Sequence, residues 1–301
     1  MTEIQFYRDF AAPYGVLEAV TPRIRRILAR NPSPFTFHGT GTYVIGHGKV
    51  AVIDPGPLLA EHVEALLQAL SGETVSHIVV THTHLDHSPA AAAVKRATGA
   101  PTFGFGPHAG GHNVGHGSEE GADRGFVPDQ VVKDGDVVEG AGWRLEAVHT
   151  PGHTSNHLCF ALPEERVLFS GDHVMGWSTS VVSPPDGDMT DYMGSLEKLM
   201  RREDAVYWPT HGPAITDPKT HVRAFIDHRR ERNDAILKRL AAGDETIPDM
   251  VVAIYVGLDP RLRGAAGRSV LAHLVALVAE GQVKCDGVPS VEARFRLVRR
   301  K

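Results

Sequence analysis

Apolar and polar positions alternate in short runs through the first two hundred residues, then settle into long helical spacing. Tyr43–Ile45 and Val50–Ile53 are β-branched runs joined by Gly46-His47-Gly48-Lys49, the pattern of a hairpin. Ahead of them Arg23–Ala29 carries a short helical spacing, ended by Asn31-Pro32-Ser33-Pro34. Leu58–Leu70, apolar at 59, 63, 66, 67 and 70, predicts a helix. Ile78-Val79-Val80 is a short apolar strand that runs into the polar stretch Thr81–His87. Ser88-Pro89 then reads as the cap and first position of an alanine-rich helix stopped by Gly99. Gly104–Gly125 is rich in Gly and His without a period and predicts a long exposed loop. Leu145–His149, His157–Leu162, Val167–Phe169 and Val206–Trp208 are further strands, each with a histidine or aspartate at its mouth. Thr190–Met200 lies among them as a helix with Leu196 and Leu199 on its core face. The pattern predicts an α/β domain whose polar residues gather at strand ends.

After Pro218, Val222, Phe225, Ile226, Ile236, Leu237 and Leu240 fit one long amphipathic helix stopped by Gly243. Pro248–Tyr255 and Ser269–Glu280 read as helices, and Val283–Leu297 as a hairpin turning near Asp286-Gly287. Helix, helix and hairpin is the order of a winged-helix module. The expected organisation is a catalytic domain over 1–217, then a linker helix and winged-helix-like domain over 218–301.

Composition changes this picture little. The 301 residues are 42% hydrophobic and 22% charged, which excludes disordered, collagenous and disulfide-scaffold classes. Cys159 and Cys285 make no disulfide framework, Met1–Phe10 lacks an apolar leader, and no run approaches the ~20 apolar residues of a membrane span. A cytoplasmic protein with no membrane partner is expected. The net charge of −5 is uneven: Thr216–Lys301 holds 16 Lys and Arg against 11 Asp and Glu, leaving 15 against 25 before it. Arg261, Arg263, Arg268, Arg294, Arg296, Arg299, Arg300 and Lys301 could track a phosphate backbone, although solvation of exposed helices is the expected reading.

Histidine changes it most, because 15 of the 18 precede Ile215. His82, His84, Asp86 and His87 place four ligand-type side chains in six positions on a strand-to-helix loop. Neutral imidazoles and a carboxylate suit a divalent ion such as zinc. Alternation along the loop would aim His82 and His84 at one ion and Asp86 and His87 at another.

That loop, followed by Thr150-Pro151-Gly152-His153-Thr154, Ser170-Gly171-Asp172-His173 and Thr210-His211-Gly212-Pro213, resembles the metallo-β-lactamase superfamily in motif order. The resemblance implies an αβ/βα sandwich with a metal site at one edge of its two sheets. It implies that His82, His84 and His153 hold one metal, that Asp86, His87 and His211 hold a second, and that Asp172 bridges them. Asn31–Pro34, Gly39–Tyr43, Asp134–Val137, His157, Asp191-Tyr192 and the helix carrying Ile226, Arg229, Arg232 and Ile236 are similar to the β-lactamase-like protein 2 family, whose members carry a C-terminal winged-helix-like domain. Gly104–Gly125 and Trp177–Asp188 depart from that pattern and could line the substrate cleft.

The resemblance implies a hydrolase with two divalent ions, zinc first and iron or manganese next, and a metal-bridging hydroxide as nucleophile. Asp86, besides ligating, is expected to orient that nucleophile or pass on its proton. The implied substrate is single-stranded RNA, cut by an endoribonuclease-type phosphodiesterase. The alternative is a small thioester, ester or lactone, as in glyoxalase-II-like enzymes. His84 stands where flavodiiron proteins have glutamate, and the true metallo-β-lactamases lack a carboxylate at Asp172, so β-lactam hydrolysis is at most a side activity. Winged helices also serve as packing or dimer modules, so a homodimer is a further expectation. A binding protein with a vestigial metal site is the non-enzymatic rival, and the complete ligand set speaks against it.

Weaker candidates surround the motif. Asp54 is either the acceptor behind a liganding histidine or a turn residue ahead of Pro55-Gly56. His157 and His173 could contact substrate or donate a proton, with structural hydrogen bonding expected of both. His108, His112 and His116 recur every four residues, but the glycines between them disfavour a helix, and a solvated loop is expected. Tyr192 is expected to pack at a helix start, and Arg229 and Arg232 to form a salt-bridged domain junction rather than an anion site.

Overall fold

The computed structural model describes residues 4–108 and 121–298. Strands β1 (Glu18–Ala19), β2 (Ile24–Leu28), β3 (Gly41–Ile45) and β4 (Lys49–Ile53) form an antiparallel run. Helix α1 (Ala60–Ala69), β5 (Thr74–Val79), helix α2 (Ala91–Thr98), β6 (Thr102–Gly104) and β7 (Gln130–Val131) extend it in parallel, giving a seven-stranded sheet in sequence order. The second sheet contains β8 (Val137–Gly140), β9 (Trp143–His149), β10 (Leu158–Leu162), β11 (Val167–Gly171) and β12 (Val206–Pro209), ordered β12-β11-β10-β9-β8. Its parallel pair, β11 and β12, is linked through helix α3 (Met189–Met200).

Side-chain alternation along the strands sorts them into layers. Ala51 and Ile53 of β4 face the inter-sheet core with Tyr43, Leu145, Leu158, Phe160 and Phe169. Val50 and Val52 point the other way, against Leu66 and Val94 of α1 and α2. On β10, Cys159 and Ala161 face an outer layer built by Tyr192, Leu196, Val222 and Phe225. The architecture is therefore helices, sheet, sheet, helices: the expected αβ/βα sandwich.

Helix α4 (Pro218–Ala241) joins two cores. Val222, Phe225 and Ile226 complete the α3 layer, while Ile236 and Leu240 enter a separate cluster. That cluster is filled by α5 (Ile247–Ile254), α6 (Arg263–Ala279) and the strand pair β13 (Val283–Cys285) and β14 (Phe295–Leu297). Pro260–Ala279 is long and apolar enough to cross a membrane, but it is 50% buried within the fold.

Three local expectations are corrected. Arg23–Ala29 is no helix: Ile24–Leu28 is strand β2, with Ile24 facing the inter-sheet core and Ile27 the helix layer. Arg25, paired with Glu73, and Arg26, lying over the Phe10 ring, occupy positions where apolar residues would have shown a period of two. Ser88-Pro89 does not cap α2, which begins at Ala91 without a side-chain cap. The Ser88 hydroxyl instead donates to Asp123 Oδ2 at 2.6 Å. The ends of Gly104–Gly125 are not free loop: Gly104 closes β6, Leu85 N–H donates to the Gly121 carbonyl, and Asp123 N–H donates to the Thr83 carbonyl. His112 and His116 lie outside the described residues.

Candidate metal centre

Four motifs far apart in sequence meet at the sheet edge because each follows a strand: β5 leads to Thr81–His87, β9 to Thr150–His153, β11 to Asp172 and β12 to Thr210-His211. Glycines permit two of the turns. Gly171 has φ +51°, and a Cβ there would lie 2.5 Å from His157 Nε2. Gly152 has φ +133° and packs so closely on the start of α3 that a Cβ would fall 2.3 Å from Tyr192 Cα. Both positions require glycine.

Among the described residues three overlapping groups of ligand atoms result, each within 4.8 Å: His82, His84 and His153; His82, His87 and Asp172; and Asp86, His87 and His211. His82 Nε2 and His153 Nε2 face His84 Nδ1 at 2.9 and 3.1 Å. His211 Nε2 is 3.1 Å from Asp86 Oδ2 and 3.4 Å from Asp172 Oδ1. His87 Nε2 lies 3.6 Å from both Asp86 Oδ2 and Asp172 Oδ2. All seven residues of the expected set converge.

What stands behind the rings fixes their tautomers. Thr81 Oγ1 donates to Asp54 Oδ2 at 2.8 Å, so it can only accept from His82 Nδ1 at 3.0 Å. His87 Nδ1 donates to Asp54 Oδ2, His153 Nδ1 to the Val181 carbonyl and His211 Nδ1 to the Gly39 carbonyl, at 2.9, 2.6 and 3.0 Å. In each ring Nε2 is the atom turned inward, free to ligate whenever the ring is neutral, the arrangement that metal-binding histidines require. Among the described residues, His87 Nε2, His211 Nε2 and Asp172 Oδ1 are buried without a sound hydrogen bond. Such atoms are costly unless a cation satisfies them, so the donor set fits divalent metal ions.

The electrostatics agree. Burial disfavours a charged His211, but Asp172 and Asp86 outweigh it and push its pKa up to about 10. The same contest, with Asp86, Asp172 and Asp54, holds His87 well above the ordinary value. His153 is pushed down to about 4 by burial and then by the neighbouring His84. Asp86 and Asp172 resist the effect of burial and stay well below the usual carboxylate range through His87 and His211.

Asp54 proves to be the acceptor behind the site. Besides His87 and the Thr81 hydroxyl it accepts from Thr81 N–H at 2.7 Å and Thr210 Oγ1 at 3.1 Å, and it holds φ +47°, a strained setting found at functional positions. His157 uses both nitrogens internally: Nε2 accepts from Asp172 N–H at 3.2 Å, and Nδ1 donates to Thr150 Oγ1. His173 is buried against Tyr192 and is not among the grouped ligand atoms. Tyr192 packs at the helix start, its hydroxyl donating to the His173 carbonyl. The salt-bridged junction is corrected: buried Arg229 donates to the Ser180 carbonyl and lies over the Tyr192 ring, and Arg232 lies over Tyr255, with no ion pair at either among the described residues. His108 comes to 3.0 Å from Asp186 Oδ2 and beside the His84 ring. Thr81 and Thr210 were missed as positioning residues, although each directly precedes a liganding-type histidine in the sequence.

A cavity of about 1100 Å³ opens from His84, Asp86, His153 and Asp172. Phe35, Leu85 and Val181 line it together with Ile247, Val251 and Val252 of α5.

Residues 36–211 match the metallo-beta-lactamase superfamily, and residues 246–288 match the beta-lactamase associated winged helix domain. The lactamase-like protein adaB of Aspergillus niger is 31% identical over 296 residues, spanning 93% of this chain and 87% of the relative. An atrochrysone carboxyl ACP thioesterase of Claviceps purpurea is 32% identical over 248 residues, covering 79% and 74%. The beta-lactamase-like protein 2 homolog of Caenorhabditis elegans is 32% identical over 280 residues, covering 89% and 88%. Among solved structures, a beta-lactamase domain protein from Burkholderia ambifaria superposes with a TM-score of 0.79 at 19% identity, over 98% of this chain and 97% of that one.

Proposed function

The chain belongs to the metallo-beta-lactamase superfamily and is a metal-dependent hydrolase; from that premise we propose that it hydrolyses acyl thioesters. The observation that carries the reading is the cleft: a largely apolar cavity opening directly from the metal centre, suited to an acyl chain. Relatives described as atrochrysone carboxyl ACP thioesterases support it. A phosphodiester chain would call for cations along the cleft. The lining has Arg263 and Arg268 on α6, with Asp86 and Asp172 at the metal end. That distribution favours a thioester over single-stranded RNA.

His82, His84 and His153 would hold one divalent ion, Asp86, His87 and His211 a second, with Asp172 between them; zinc suits these donors. When bound, the ions polarise the acyl carbonyl and lower the pKa of water. The chain's own residues do the rest. Asp54, the Gly39 carbonyl and the Val181 carbonyl keep the imidazoles in the tautomer that leaves Nε2 available. Asp86, with its side chain 26% exposed to the cleft, accepts a hydrogen bond from the attacking water and orients it toward the acyl carbon. The proton released from that water leaves on the thiol as the C–S bond breaks. Leu85 and Phe35 exclude water from the acyl chain.

Thiol release from a series of acyl-pantetheine thioesters tests the reading. Burying each added methylene is worth about 0.8 kcal/mol, so kcat/KM should rise up to about fourfold per methylene. Asp86→Asn should lower kcat by about 100-fold or more. Absence of turnover across the series with metal bound would reject the proposal.

A further inference from the structure

Helix α6 presents Arg263, Gly264, Gly267, Arg268 and Leu271 to the cleft, positions that share one face at helical spacing. Two glycines so close together weaken a helix, yet neither has a positive φ. A Cβ at Gly264 would meet nothing within 4 Å, and one at Gly267 would make ordinary contact with Ile247 at 3.5 Å. Neither backbone conformation nor packing calls for glycine there. Gly264 leaves open space on that face, while Gly267 lies buried beside Ile247.

The flanking arginines are just as unaccounted for. Arg261 is paired with Asp259, Arg294 with Glu245, and Arg296 with Glu245 and Asp286. Arg263 and Arg268 are exposed and have no ion pair or side-chain hydrogen bond among the described residues. Both nonetheless line the cavity that reaches Asp172, a residue 7% exposed. One cavity thus joins a hydrolytic centre to two unneutralised guanidinium groups across an apolar stretch.

Resting on the thioester reading, we propose that Arg263 and Arg268 bind the phosphate of a 4′-phosphopantetheine arm, and that the substrate is an acyl group carried as a thioester on that arm. A phosphate dianion is matched by paired guanidinium forks. The arm is thin and flexible, and the open face at Gly264 leaves it a passage along α6. The acyl group lies against Phe35, Leu85 and Val252. In the reaction, water oxygen bonds to the acyl carbon and the C–S bond breaks. The acid is released and the thiol leaves on the arm with a proton. The phosphate is unchanged, so the arginines position the substrate without touching the reacting atoms.

Calorimetric titration with the S-methyl ethers of 4′-phosphopantetheine and of pantetheine tests the site apart from turnover. The wild-type holoenzyme should bind the phosphorylated ether at least tenfold more tightly. Arg263→Gln/Arg268→Gln should bring the two within twofold while leaving metal content and pantetheine-ether affinity unchanged. Equal affinities in the wild type, or a preference that survives the double variant, would overturn the proposal. In turnover, the variant should raise KM for acyl-phosphopantetheine with kcat unchanged. Comparison of acyl-coenzyme A with an acyl carrier protein then identifies which source of the arm is used. A phosphate preference lost in the variant, with no thioester of any kind hydrolysed, would sustain the anion site and remove the thioesterase reading.

Discussion

At the scale of the residue, Asp54 organises the centre without facing the cleft. Its carboxylate takes bonds from His87, from Thr81 twice and from Thr210. In Asp54→Ala, His87 loses the acceptor that fixes its tautomer, so metal affinity should fall by about 10- to 100-fold. Competition with a chromophoric chelator measures this, and unchanged affinity would make Asp54 a turn residue only. The raised pKa values of His211, about 10, and His87 carry a second expectation. Both shifts favour the protonated ring in the metal-free protein, whereas ordinary histidines are mostly neutral at pH 7. Metal needs the neutral ring, so zinc added at pH 7 should release protons; release near zero in a weakly buffered indicator titration would contradict it. The seven ligand-type residues were legible in sequence because their types and order are rare. Asp54 was legible only as a pair of alternatives, and the carbonyls of Gly39 and Val181 not at all, since a backbone acceptor carries no side-chain signature.

At the scale of the element, packing overrode local pattern in two places. Strand β2 was misread because Arg25 and Arg26 hide its alternation, and the partners β1 and β3 that fix it lie elsewhere in the chain. Ser88 resembled a cap, but its hydroxyl is committed to Asp123, which sequence spacing does not reveal. The long helices, with unbroken apolar stripes, were legible to within a few residues, though α6 begins six residues earlier than its apolar pattern suggested. Gly267→Ala should stabilise α6 by about 1 kcal/mol, read as a rise in denaturation midpoint; a fall would show that packing needs the glycine. On α4, His228 is pushed down to about 4 by burial and then by Arg229 and Arg232. The fold keeps this ring neutral while the unfolded chain takes up a proton below about pH 6.5, so stability is lost as pH falls from about 6.5 toward 4. His228→Gln should flatten that loss in thermal melts across this window. An unaltered slope would assign the acid sensitivity to other groups.

At the scale of the whole molecule, one chain makes the cleft from both of its parts. The sandwich supplies the metal centre, while α5 and α6, seated on the far half of α4, supply the facing wall. The sandwich and the helix–helix–hairpin module were legible separately, because each has its own periodicity. Their shared cavity was not, since it depends on how α4 carries one against the other. The charge contrast between the two parts takes on a different meaning in the fold. Several tail arginines are spent on local carboxylates, whereas Arg263 and Arg268, with no ion pair among the described residues, line the cleft. The most direct test measures thiol release from an acyl-pantetheine thioester and cleavage of a fluorescent single-stranded RNA, side by side, with zinc-loaded wild type and Asp86→Asn of verified metal content. Thioester turnover lost in the variant, with the RNA intact throughout, is the expected result. RNA cleavage lost in the variant, with the thioester untouched, would contradict the account.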